Sequence, residues 1–174
     1  MMKKFFSAMI CCLFLIGCDS SVEVFGITLG GDFDKLKKRE LVEKIDLIPS
    51  KKHFILADLK KVPSPEAGDS ANYFVQVIDG KIVSVAATVK DDSSSYYKNL
   101  SSYARSKLGE SVATENSVTD SDAVKKIPYG CVREKSCLDT KYNVYRKGNV
   151  NSIISTSNGE TKIQFDTDDL KSAL

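Results

Sequence analysis

The chain has 174 residues, with 25 basic and 23 acidic side chains and a single histidine. That length suits one domain plus a targeting segment. The near balance of charge excludes the basic footprint of a nucleic-acid binder and gives no polybasic grip on lipid headgroups.

Lys3 and Lys4 precede an apolar run, "FFSAMICCLFLIG", over residues 5–17. Basic, then apolar, then small is the pattern of a secretory signal peptide. Crossing the hydrocarbon core takes about 20 apolar residues, and this run is shorter. Apart from Ser7 nothing polar interrupts it, so it has no amphipathic stripe to offer a core. An ordinary small-x-small cleavage site is poor here.

Leu15, Ile16, Gly17 and Cys18 instead resemble the lipobox of bacterial lipoproteins, although Ile16 is less usual at its place than alanine or serine. The resemblance covers only the first eighteen residues. It implies that residues 1–17 are cleaved and that Cys18 carries a diacylglyceryl thioether and an N-acyl chain. Two or more acyl chains make a stable anchor, whereas one is marginal. Asp19 resembles the mark that retains Gram-negative lipoproteins in the inner membrane. The expected location is therefore the bacterial envelope, facing the periplasm, with the inner membrane favoured over the outer. Losing Lys3 and Lys4 would leave as many basic groups as the 23 acidic ones. Residues 18–21 form a tether reaching at most about 14 Å, and residues 22–174 form one domain.

"VEVFGITLG" alternates as a strand. Gly30 and Gly31 end it, Asp32 is a helix N-cap, and a helix is expected through Ile45. The glycines match neither phosphate-loop pattern. "HFILADLKKV" reads as a strand and "PSPEAGDS" as a loop. Asp79-Gly80 between two β-rich runs predicts a type I′ hairpin. A helix follows, capped within residues 92–95, with Tyr96, Leu100, Tyr103, Ala104 and Leu108 on one side and Gly109 at its end. Residues 111–120 read as a loop. A short helical turn stops at Pro128. Gly148-Asn149 and Asn158-Gly159 divide the C-terminal third into three antiparallel strands, and an acid-started helix ends the chain. The expected class is α+β: an antiparallel sheet built from hairpins, with two or three helices on one face.

With Cys11 and Cys12 in the leader and Cys18 lipidated, Cys131 and Cys137 remain. An exported protein occupies a disulfide-permissive compartment, so these two are expected to pair. The loop "CVREKSC" is short, worth about 2–3 kcal/mol in the chain-entropy model. Zinc needs four ligands, and His53 is the only histidine; no metal and no cofactor beyond the lipid are expected. His53 begins a strand with no positioned partner in the sequence, and G-x-S-x-G is absent. Asp91-Asp92 and Asp168-Asp169 fall at helix starts, where capping accounts for them.

Tyrosine is favoured at protein interfaces. Adjacent Tyr96 and Tyr97 cannot both face inward, so Tyr97 is expected outside, and Tyr97, Tyr142 and Tyr145 are the candidate partner-binding residues. The expected function is non-catalytic protein binding from a membrane anchor: inhibition or immunity, exclusion, or support of an envelope complex. The alternative is a small-ligand-binding or hydrolytic envelope protein with a cleft at the strand ends.

Overall fold

In a computed structural model, described over residues 21–48, 53–137 and 141–173, the expected turn dipeptides set the frame. Asp79 and Gly80 have φ of 49° and 77°, and Asn158 and Gly159 have 54° and 78°. Positive φ at both central residues is what a type I′ turn requires. These turns join β5 (Asn72–Ile78) to β6 (Lys81–Val89) and β10 (Val150–Ser157) to β11 (Glu160–Thr167). With β3 (Val42–Leu47), β4 (Phe54–Leu59), β7 (Ser111–Thr114), β8 (Ser117–Val118) and β9 (Lys141–Lys147) they build one nine-stranded sheet. Its order is β3-β4-β5-β6-β11-β10-β9-β7-β8, and every pairing is antiparallel. The two sets of hairpins meet at β6 and β11, where Val85 faces Phe165 and Ser84 faces Asp166.

"VEVFGIT" is not one strand. It folds into β1 (Glu23–Val24) and β2 (Ile27–Thr28), a hairpin turning at Phe25 and Gly26 with φ of 52° and 72°. Phenylalanine at positive φ is unfavourable locally, and burial offsets it. The Phe25 ring is fully buried, stacked 5.3 Å from Tyr103 and edge-on to Tyr73 at 5.2 Å.

Helix α1 is also shorter than expected. Asp32 caps it by accepting from the Asp34 N–H at 2.9 Å, but it spans only Phe33–Lys38. Glu40 then takes φ 54°, and residues 42–47 become β3 against β4. Residues 111–120 hold β7 and β8 rather than a loop. The Thr114 hydroxyl accepts from the N–H groups of Asn116 and Ser117, both at 3.2 Å, and closes their turn.

Helix α2 (Ser94–Leu108) is capped by Ser93 and ends at Gly109. The remaining helices among the described residues are α3 (Ser121–Lys126), α4 (Gly130–Glu134) and α5 (Asp169–Ala173). Their placement corrects the expectation of helices on one face. Leu100, Ala104 and Leu108 of α2 pack into a core with Val85, Tyr145, Ile154, Ile163 and Phe165. Val144, one residue from Tyr145, points to the opposite face. There it packs with Val124, Ile127 and Val132 of the α3–α4 segment. Leu170 of α5 forms a third cluster with Phe54 and Val83. The sheet is sandwiched because its strands alternate apolar residues on both faces along β9 and β6. No described helix is long and apolar enough to cross a membrane.

Candidate functional site

Cys18 and Asp19 lie outside the described residues. The three tyrosines named for partner binding are interior: Tyr97, Tyr142 and Tyr145 are 4, 7 and 1% exposed. Tyr97 follows the stripe of Leu100, Ala104 and Leu108 onto the sheet, and its buried hydroxyl has no hydrogen-bond partner among the described residues. Tyr96 is the half-buried one, because the β1–β2 hairpin and its neighbours cover the flank of α2; its hydroxyl donates to the Ala67 carbonyl. A helix packed on two sides buries adjacent positions, which periodicity against a single surface does not anticipate. Tyr145 and Tyr142 sit on opposite faces of β9, each beneath a helical layer.

His53 is mostly exposed at φ 73°, with Asp79 3.5 Å away. Asp91 accepts from the Ser93 N–H at 2.8 Å, at the start of α2. Asp168 has a different role from capping. Arg146 grips both its oxygens at 2.7 Å, and Asn151 donates to it at 2.9 Å. Burial pushes the Asp168 carboxyl up, but these hydrogen bonds and the guanidinium charge outweigh it and hold the pKa below the usual range. The cluster ties the start of α5 to β9 and β10.

Sequence reasoning missed the polar pin beneath α4. Asp166, fully buried on β11, accepts from the Tyr129 hydroxyl at 2.7 Å and from Gln164 Nε2 at 2.8 Å. Burial raises the Asp166 carboxyl, against the lowering effect of those hydrogen bonds and of Lys162. Burial likewise raises Tyr129 well above a normal phenol. The only sequence signal was an aspartate inside a strand, where aspartate is depleted.

That pin holds a lobe made of β7, β8, α3 and α4. Asp120 caps α3 by accepting from Asp122 and Ala123. The Cys131–Cys137 disulfide forms as expected, with Cα atoms 4.9 Å apart, and closes the segment after α4. Arg133 donates to the Ile127 carbonyl at 2.6 Å. Between the β7–β8 hairpin and the disulfide lies a depression of 260 Å³. Val132, Cys137 and Tyr142 line it, with Glu115 and Lys135 among the charged lining and Val118 beside them, 44% exposed. Glu115 is held in place by the Tyr142 N–H at 3.2 Å. An apolar floor with fixed charges of both signs can seat a side chain of another molecule. A second, more polar depression of 600 Å³ lies at the ends of β4 and β5, lined by Lys44, Asp58, Lys60, Asp69 and Tyr73 among others. Among the described residues no three metal-binding side chains converge.

No protein-family model matches the chain, and no curated protein matches it. Among solved structures it is similar to a cysteine-rich secretory protein from Staphylococcus aureus subsp. aureus Mu50, at 13% identity and a TM-score of 0.40. The alignment covers 82% of this chain and 45% of that one, so the chain spans under half the length of its structural neighbour.

Proposed function

We propose that this is a lipid-anchored, periplasm-facing module that binds another protein and carries out no covalent chemistry. In this reading residues 1–17 are removed, Cys18 bears the acyl chains and Asp19 keeps the protein at the inner membrane. The likeness of residues 15–18 to a lipobox supports the anchor. The observation that carries the binding role is the depression of the disulfide-braced lobe, with exposed Val118 at its edge and Glu115 and Lys135 in its lining. Exposed apolar side chains beside fixed polar groups are the makings of a protein interface. The partner would be an exported enzyme to be inhibited, or a component of an envelope complex.

The test is capture of the full chain from membranes after cross-linking. A partner retained by the parent and lost with Val118→Asp, while acyl labelling and membrane location persist, is the expected result. Equal recovery from both chains would overturn the assignment of this face. A second reading, a small polar ligand at the strand ends, is favoured by the 600 Å³ depression, a volume within the range of ligand sites. A ligand that raises the melting temperature of the parent, but not of Asp69→Asn, would support it.

A further inference from the structure

Among the described residues one long edge of the sheet is open. Among the described residues β3 pairs with β4 alone, and β8, at the far edge, is only two residues long. The phase of the β3 ladder is set by the Ile48 N–H, which donates to the Phe54 carbonyl at 3.5 Å. Hydrogen-bonded positions alternate along an antiparallel strand. Asp46 and Lys44 therefore turn their backbone groups toward β4, and Ile45 and Leu47 turn theirs outward. The outward residues are also exposed apolar side chains, Ile45 at 43% and Leu47 at 72%. A strand of this kind is a template for another strand.

We propose that β3 pairs with β3 of a second copy of this chain, antiparallel, about a two-fold axis through Ile45. The charges select this occupant and this register. On one face Lys44 lies opposite Asp46 of the second copy, and Asp46 opposite its Lys44, so two opposite-charge pairs form. On the other face Ile45 meets Ile45, and Leu47 meets Glu43. Within one chain Lys44 and Asp46 are 2.7 Å apart, so dimerisation exchanges one internal ion pair per copy for two cross-strand pairs. Opposite charges directly across a ladder are favourable and like charges are not. An axis through Lys44 would place lysine against lysine, and one through Asp46 would place aspartate against aspartate. An axis through Leu47 separates Lys44 from Asp46. The bulge between Val42 and Lys44 keeps the paired stretch short, so the association is reversible rather than obligate.

The experiment is cysteine trapping in the full chain, with the parent, which already carries Cys11, Cys12 and Cys18, as background. In a hydrogen-bonded antiparallel pair the Cα atoms are about 5.5 Å apart, within disulfide reach. Ile45→Cys is expected to give a reducible dimer whose cross-link maps to position 45. Leu47→Cys alone should give none, since the axis places those positions about 13 Å apart at the strand rise per residue. Mixing Glu43→Cys with Leu47→Cys should give a mixed dimer. In the Ile45→Cys chain, Lys44→Asp should lower the yield severalfold, and adding Asp46→Lys should restore it. These positions are exposed or half-exposed on an edge strand, and an unchanged circular dichroism spectrum confirms that each variant is folded. Absence of the position-45 cross-link in folded protein would overturn the proposal. So would trapping of Leu47→Cys as efficiently as Ile45→Cys, or a yield indifferent to Lys44→Asp.

Discussion

The backbone N–H of Phe25 donates to the hydroxyl of Tyr103 at 2.8 Å, across 78 residues of chain. The same two residues stack their rings. One tyrosine thus satisfies the backbone of a strained turn and fills the space over its ring. Tyr103→Phe should keep the stacking and orphan the N–H, lowering stability by about 1–3 kcal/mol. Urea unfolding measures this, and a change within error would show that water replaces the hydroxyl.

Gly26 separates two costs. Its φ is 72°, and a Cβ there would lie 2.5 Å from Pro63 Cβ; Gly80 has φ 77° with nothing within 4 Å of such an atom. Gly80→Ala should cost about 1–2 kcal/mol, the price of a left-handed residue. Gly26→Ala should cost clearly more, because a ring carbon of Pro63 must also move. Equal losses in thermal unfolding would mean that the loop at Pro63 yields freely.

Asp166 and Asp168 should give opposite pH dependences. The native Asp166 carboxyl titrates above its ordinary value of 3.8. Between 3.8 and that raised value the folded chain binds more protons than the unfolded chain, so this group's contribution to stability falls as pH rises. Asp168 titrates below 3.8 in the native state, so its contribution is present above 3.8 and is lost as pH falls toward the lowered value. Asp166→Asn should therefore gain stability relative to the parent as pH rises from 4, and Asp168→Asn should lose less than the parent on acidification below 4. Denaturant midpoints across pH test both, and parallel curves would count against the assignments.

The disulfide braces a lobe rather than the main core. Replacing Cys131 and Cys137 by alanine should cost up to about 2–3 kcal/mol, the entropy of a short loop. Hydrogen exchange should quicken in α3, α4 and the β7–β8 hairpin while β6 and β11 stay protected. Uniform quickening would mean that the lobe and the sheet unfold as one unit.

The turns and caps were legible because they are local. Asp79-Gly80 and Asn158-Gly159 announce their dihedral angles, and Asp32 and Gly109 mark the ends of α1 and α2 at the expected places. The cysteine pairing was legible because reading Cys11 and Cys12 as leader and Cys18 as a lipidation site leaves Cys131 and Cys137 to pair. What failed depended on distant contacts. Nothing near Phe25 says that it will take positive φ; Tyr103, Tyr73 and Phe165 make that conformation tolerable. Residues 42–47 carry an imperfect helical stripe, and the free hydrogen-bonding edge of β4 converts them to strand. Tyr97 faces the sheet with Leu100, Ala104 and Leu108, and Tyr96 beside it is half-buried as well because the hairpin covers the flank of α2.

By itself, then, the sequence determined the antiparallel α+β class, the hairpin turns of the central strands and the limits of α2, since turn dihedrals, caps and hydrophobic runs act within a few positions. Tertiary structure alone decided that helices cover both faces, that Asp166 is sealed beneath Tyr129, and that β3 is the edge strand among the described residues. Those outcomes depend on which strand lies beside which, and the pairing of β6 with β11 brings together segments too far apart in the chain for any local pattern to encode.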